Sequence, residues 1–199
     1  MRFVNKMMYK NLFKRVWNIL VAPTKTWKEI ALEAEDDKKY LNNYFYPLIG
    51  LAAFTAFLNP FIMKYEELGF SSTMSVAIQS FIVSFISSFF GFFVSTRALN
   101  YCSVRWLGMT SDIHKIERLI AYASTPVLVI SILTRLLSDF FFMKIFFFYV
   151  IVLVWEGTVP LYSMEESKRS KFSVLAFILI IAIPLIIEKL FIIFLPGLK

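Results

Sequence analysis

From Arg118 to Leu137 the chain reads RLIAYASTPVLVISILTRLL, an apolar run interrupted by small polar residues, Tyr122 and Pro126. At ~1.5 Å per residue a helix over 119–137 would be about 28 Å long, close to the ~30 Å hydrocarbon core of a bilayer. Two apolar runs precede it and two follow, so it is read as the third of five membrane spans, at about 44–63, 73–96, 119–137, 145–162 and 172–195. The expected fold is all-α and polytopic. Residues 1–43 form a cytoplasmic amphipathic helical region, and residues 44–199 form a five-helix membrane domain.

Composition agrees with that class. Of 199 residues 58% are hydrophobic, 23 are Phe, and only 18% are charged, against ~25% charged in a soluble domain. The charges collect between the apolar runs, where water can reach them. Cys102 is the single cysteine, so no intramolecular disulfide can form. The first twenty residues intersperse Arg2, Lys6, Lys10, Lys14 and Arg15 with apolar residues. They lack the unbroken apolar core of ~7 to 15 residues that a secretory signal needs, and insertion is expected to be directed by the spans themselves.

In that N-terminal stretch Met8, Tyr9, Leu12, Phe13, Val16, Ile19 and Leu20 share a helical face, and Lys6, Lys10 and Lys14 recur at every fourth position on the other. Such a pattern suits a helix in the headgroup plane, held by apolar burial and anionic lipid. It equally suits a helix packed on the protein's own cytoplasmic face. Lys6, Lys10, Lys14 and Trp17 are the candidate membrane-surface contacts, and the formal net charge of +7 is assigned to the bilayer surface, with no nucleic-acid partner expected. Pro23 should end this helix, and Thr26-Trp27-Lys28-Glu29 fits a capping box that starts a second one. That helix presents Trp27, Ile30, Ala31 and Ala34 before the acidic run Glu35-Asp36-Asp37, read as a solvated linker.

The second span carries the clearest face. Thr73, Ala77, Ser80, Ser84, Ser87, Ser88, Gly91 and Ser95 fall within about one third of the helix circumference at ~100° per residue. Small residues at this spacing let backbones approach closely and support packing or self-association. A polar pore lining is the sharper alternative, and packing is preferred because no charged residue lies on the stripe. Residues 97–118 are expected to be the one long internal connection, whereas the link at 137–140 is so short that spans three and four should pair antiparallel. A kink is expected at Pro184 in the fifth span. Lys and Arg alternate in density along the successive connections, 16 of the 21 lying on the N-terminal side. By the positive-inside rule the N-terminus is cytoplasmic and the C-terminus lies on the far side.

Little in the chain resembles catalytic machinery. Cys102, Asp112 and His114 share one expected loop, but one His and one Cys do not make a usual zinc set. No Gly-x-Ser-x-Gly elbow, His-Glu-x-x-His pair or phosphate-cradling glycine loop occurs. No enzyme activity, cofactor or metal is expected. Glu156, in Trp155-Glu156-Gly157-Thr158-Val159-Pro160, is the acid that stands out, because an ionised carboxylate at depth costs several kcal/mol unless paired or protonated. Tyr122, Ser124 and Thr125 lie at a similar expected depth on the neighbouring span, and Pro126 frees a carbonyl one turn earlier. The expectation is one intramembrane polar cluster of Tyr122, Ser124, Thr125, Pro126 and Glu156.

Three short motifs carry a family resemblance: Leu20-Val21-Ala22-Pro23 followed by Trp27-x-x-Ile30, the span entry Tyr46-Pro47-Leu48, and Ala121-Tyr122-Ala123-Ser124-Thr125-Pro126. With five spans they resemble the Ypt/Rab-interacting-protein (Yip) family in its prokaryotic branch, and the resemblance covers nearly the whole chain. It implies a five-helix integral membrane protein with a cytoplasmic N-terminal region, in a bacterial cytoplasmic membrane. Eukaryotic relatives are associated with Rab-type GTPases and vesicle traffic, but this chain lacks their longer acidic and Gly-Tyr-Gly patterns, and the family supplies no catalytic residue to match. The resulting functional expectation is a non-enzymatic membrane protein that organises or recruits a protein partner, or a second copy of itself, at the cytoplasmic face through 1–43 and 97–118. The alternative is a small transporter or channel with a polar path near Glu156.

Overall fold

The computed structural model describes residues 2–33, 38–63 and 65–195. All regular structure among them is helical. Five segments are long and apolar enough to cross a membrane: Leu41–Met63, Gly69–Leu107, Ile113–Leu136, Asp139–Tyr162 and Glu166–Phe194. The protein is therefore an all-α, polytopic membrane protein.

Helix α1, Arg2–Val21, and helix α2, Pro23–Ala31, meet at Ala22. Pro23 stands at the first position of α2, where its missing N–H is no loss. This moves the start of α2 ahead of the expected capping box. The Thr26 hydroxyl donates to the Ala22 carbonyl at 2.9 Å from inside the helix and caps nothing. Arg15 pairs with Glu29 at 3.8 Å and with Glu33, so α1 and α2 form an antiparallel hairpin with its tip at Val21–Pro23. Ala34 and the acidic run at 35–37 lie outside the described residues.

The first span opens with a wide π turn, Leu41–Phe45, and continues as α3, Tyr46–Met63. Pro47 explains the widening: it has no N–H to close a normal turn, and the Tyr46 N–H reaches back to the Leu41 carbonyl. Helix α4, Tyr65–Leu107, breaks its regular conformation at Gly69, whose φ of 69° suits glycine. It then runs unbroken to Leu107, through the stretch expected to be a long connection. The real connection is five residues, 108–112: Gly108 turns the chain at φ 63°, and the Asp112 carboxylate accepts from the Lys115 N–H at 3.1 Å to cap the next helix.

The third span is two helices, α5 (Ile113–Ala123) and α6 (Thr125–Leu136), joined at Ser124. Pro126 cannot donate to the Tyr122 carbonyl, and the Thr125 hydroxyl takes that acceptor at 2.6 Å, so the ladder is interrupted at the carbonyl that Pro126 was expected to free. The chain reverses at Leu137 into a 3-10 segment, Ser138–Phe148, continues as α7, Tyr149–Tyr162, and packs α7 back against α5. Ser163, in the left-handed region at φ 48°, closes α7. Helix α8, Glu166–Phe194, carries Pro184 inside it.

From Gly69 to Leu107 there are 39 residues, about 58 Å of helix, nearly twice the hydrocarbon thickness. Part of α4 must therefore stand outside the hydrocarbon, and the end where α4 stops and α5 starts, here the proximal end, is the one that carries Arg97, Asn100 and Arg105. The packing shows the same division. Ile19, Trp27 and Ile30 of the hairpin share one buried core with Leu99, Ile116, Leu119, Ile120, Leu153 and Phe172. The rest of the bundle is thinner, and its large apolar side chains face outwards, among them Phe81, Phe85, Phe141, Phe146, Ile186 and Phe194, as lipid-facing residues should. Residues on both sides of position 43 thus share one core.

Helix α4 packs between α3 and α8, and its small residues have several roles there. An added Cβ at Gly91 would lie 2.7 Å from Pro184 Cγ, and Ser95 Oγ donates to the Leu179 carbonyl at 3.0 Å. Ser84 accepts from Arg135 Nη1 at 2.8 Å, so a charged side chain from α6 does reach the stripe. Ser87 is buried, whereas Ser80 and Ser88 are half-buried.

Candidate functional site

The hairpin meets the spans in a buried ionic and aromatic cluster at the proximal end. Arg118 on α5 is 4% exposed, and its Nη1 donates to the Ile30 and Glu33 carbonyls at 3.2 and 3.0 Å, a cation on the open carbonyls at the end of α2. Its guanidinium also lies 5.4 Å from the Tyr40 ring centre, and Tyr40 Oη donates to Glu117 Oε2 at 3.3 Å. Burial first, and then the Glu117 carboxylate, push the Tyr40 phenol above its ordinary value, so it stays protonated and donates. Three stretches of sequence, at 30–33, 40 and 117–118, thereby converge on one contact surface.

Tyr122 is the centre of the cluster. Its ring lies 4.7 Å from Tyr44, 5.8 Å from Trp27 and 6.3 Å from Tyr40, and the Arg15 guanidinium sits 5.3 Å over it. Arg15 Nη2 also donates to Tyr122 Oη at 3.4 Å. The Thr125 proton is committed to the Tyr122 carbonyl, so in the 2.5 Å contact with Tyr44 Oη the tyrosine must be the donor. Tyr44→Phe then removes one bond and is expected to cost about 1 kcal/mol, whereas Thr125→Val strands two buried groups and should cost about 1–3 kcal/mol. Thermal unfolding of the purified protein in detergent reads both; a larger loss for Tyr44→Phe would overturn this donor assignment.

Of the expected polar cluster, the structure brings Tyr122 and Thr125 together and leaves Glu156 elsewhere. Ser124 is turned to its own helix, Oγ donating to the Ile120 carbonyl at 2.7 Å, and Pro126 is buried at the start of α6. Glu156 Oε2 accepts from Thr24 Oγ1 at 2.7 Å. Trp27 separates it from Tyr122: Trp27 is fully buried and covers Gly157, where an added Cβ would meet Trp27 Cε2 at 2.8 Å. Glu156 is therefore a contact of the hairpin tip. Beside it, Tyr149 Oη donates to the Leu20 carbonyl at 2.9 Å.

Of the candidate surface residues, Lys14 and Trp17 are exposed on α1; the side chains of Lys6 and Lys10 lie outside the described detail. Cys102 sits half-buried on α4, His114 is exposed on α5, and Asp112 pairs with Lys115 at 3.2 Å. Among the described residues no group of three His, Cys, Asp or Glu is placed to hold a metal.

Arg15, Tyr40, Tyr44, Glu117, Arg118 and Arg135 were not assigned to a buried site from sequence. One signal was available: Tyr40 with Tyr44, and Arg118 with Tyr122, are spaced four apart and share helical faces. Arg135 is the most unusual of the six. It stands at the far end of α6 yet sends Nη1 inwards to the Ala52 carbonyl and Ser84, both at 2.8 Å, while Asn59 Nδ2 donates to the Arg135 carbonyl at 2.7 Å.

Five membrane-length helices with an N-terminal hairpin locked onto one end define a polytopic helical membrane protein with a structured juxtamembrane layer. The Yip1 domain matches residues 17–187, from the last turn of α1 to Pro184's turn of α8, and the chain belongs to that family. No characterised protein and no solved structure shows a significant match.

Proposed function

We propose that this is a non-enzymatic member of the prokaryotic branch of the family, which recruits a protein partner at the cytoplasmic face of a bacterial cytoplasmic membrane. The observation that carries the reading is the end of α4. It stands outside the hydrocarbon and leaves Tyr101 and Trp106 exposed, at 67% and 66%, with Arg97 and Arg105 exposed beside them. Trp, Tyr and Arg are the side chains that most often anchor protein interfaces. The excess of Lys and Arg supports the assignment of this end to the cytoplasm, with the C-terminus on the far side.

The test is crosslinking in intact cells followed by isolation in mild detergent, comparing the wild type with Tyr101→Ala, Arg105→Ala and Trp106→Ala combined. A partner recovered with the wild type and reduced at least tenfold with the variant, at equal folded yield, is expected. Equal recovery would overturn the assignment of the α4 end. A second copy of the chain would appear in the same experiment as a crosslinked dimer. Arg135 supports a second reading, a solute path, since a guanidinium inside a membrane bundle marks ion or substrate pathways; flux in proteoliposomes that Arg135→Gln abolishes would favour it.

A further inference from the structure

Among the described residues, the outer face of α1 from Phe13 to Val21 has no partner in the fold. Phe13, Trp17 and Val21 are 59%, 67% and 60% exposed and follow one another at every fourth position. On the observed helix, positions 6, 10 and 14, all lysine, fall in the same arc of about 100°. The opposite side is already used: Leu12 and Ile19 are buried in the core, and Arg15 is tied to Tyr122, Glu29 and Glu33.

Contacts along the hairpin fix its slope. Reading back from Glu33 through α2 to the tip, the Glu33 carbonyl meets Arg118, Trp27 covers Gly157, Thr24 meets Glu156, and the Leu20 carbonyl meets Tyr149. On α7, of 14 residues, Gly157, Glu156 and Tyr149 lie successively further from the proximal end, Tyr149 about 20 Å from Tyr162. The tip is thus the part of the hairpin nearest the hydrocarbon. Tyr149 is flanked by Phe148 and Val152, 60% and 43% exposed, and Phe148 stacks on Phe177 of α8 at 5.1 Å. The Leu20–Tyr149 bond sets the Val21 end of α1 beside that apolar belt.

We infer that α1 is an oblique membrane wedge: Val21 and Trp17 enter the acyl boundary of the bilayer and the lysines at 6, 10 and 14 rest on anionic headgroups. An aromatic stripe interleaved with lysines is complementary to that boundary, apolar below and negatively charged above. Lys25 and Lys28 are also exposed, on α2. Depth along α1 therefore increases from Phe13 to Val21, unlike a helix lying flat in the headgroup plane.

Nitroxide labels read this order. In a Cys102→Ser background, Phe13→Cys, Trp17→Cys and Val21→Cys are labelled in turn and the protein is placed in vesicles of phosphatidylethanolamine and phosphatidylglycerol. Collision with oxygen should exceed collision with a water-soluble nickel chelate at 17 and 21, and the ratio should rise from 13 through 17 to 21. Equal ratios would mean a flat helix, and chelate excess at 17 and 21 would mean a face in water; either overturns the wedge. Unlabelled protein gives an independent reading: acyl chains brominated near the headgroup should quench part of the tryptophan emission, and Trp17→Phe should remove that part. Unchanged quenching in Trp17→Phe would also overturn it. No partner is present, so failure here leaves recruitment at α4 standing, and the crosslinking result leaves the wedge standing.

Discussion

Trp27→Ala is expected to destabilise the folded protein by about 3–5 kcal/mol, the range for emptying a buried tryptophan site. Trp27 is fully buried and is the piece of α2 that fills the space between α5 and α7. It touches Tyr122 on one side and the backbone of Gly157 on the other. Its loss would leave a cavity in the core that the hairpin shares with the spans and would loosen the hairpin as a whole. Its indole Nε1 finds no hydrogen-bond partner among the described residues, so Trp27→Phe, which keeps a ring, should cost much less than Trp27→Ala. Gly157→Ala gives the reciprocal result. A methyl there meets Trp27 Cε2 and Cζ2 at 2.8 and 2.9 Å and Leu119 Cδ1 at 2.6 Å, and such overpacking typically costs about 1–3 kcal/mol. Combined with Trp27→Ala, the methyl loses both Trp27 clashes and keeps only the one with the flexible end of Leu119, so the double variant should be more stable than the sum of the two losses. Thermal unfolding in detergent measures the cycle; strict additivity would show that Trp27 and Gly157 are not the contact that holds the hairpin.

The same contact shows what the sequence could reveal. Span number and span order follow from apolar length, because the hydrocarbon thickness imposes it. The break at Ser124 was signalled by Pro126, yet a helix and a proline-interrupted helix share the same hydropathy. Similarly, α4 runs past Thr96 to Leu107 because polar residues such as Arg97, Asn100 and Arg105 extend a helix into water as readily as they leave it; only Gly108 marks the stop. Glu156 looked deep because its neighbours are apolar. Those neighbours pack in a core that the α1–α2 hairpin helps to build. Hydropathy does not separate a lipid-facing surface from a face covered by the chain's own N-terminus, and so Arg15, Arg118 and Tyr40 could not be assigned to one cluster from their separation in sequence.

In the membrane layer the largest single effect is expected at Gly91. An added Cβ would meet Pro184 Cγ, Cβ and Cα at 2.7, 3.0 and 3.1 Å. The proline ring is stiff and its Cα belongs to the backbone, so the helices must separate. Gly91→Ala is expected to cost about 1–3 kcal/mol and Gly91→Leu more, by a mechanism that burial of apolar area cannot offset, since α4 and α8 compete only with lipid. Ser95 should suffer with it, because its bond to the Leu179 carbonyl lies one turn along the same contact. Pro184→Ala removes Cγ and restores an N–H able to reach the Ile180 carbonyl, so by itself it should be close to neutral. In the Gly91→Ala background it relieves the shortest contact but leaves the Cβ and Cα ones, and recovery should be partial. Folded yield and unfolding temperature of the four proteins in detergent give the result. Gly91→Leu folding like the wild type would mean that α4 and α8 are not locked at this point. The small-residue face would then be free for a second copy of the chain, and the dimer band in the crosslinking experiment would become the next quantity to compare between Gly91 and its variants.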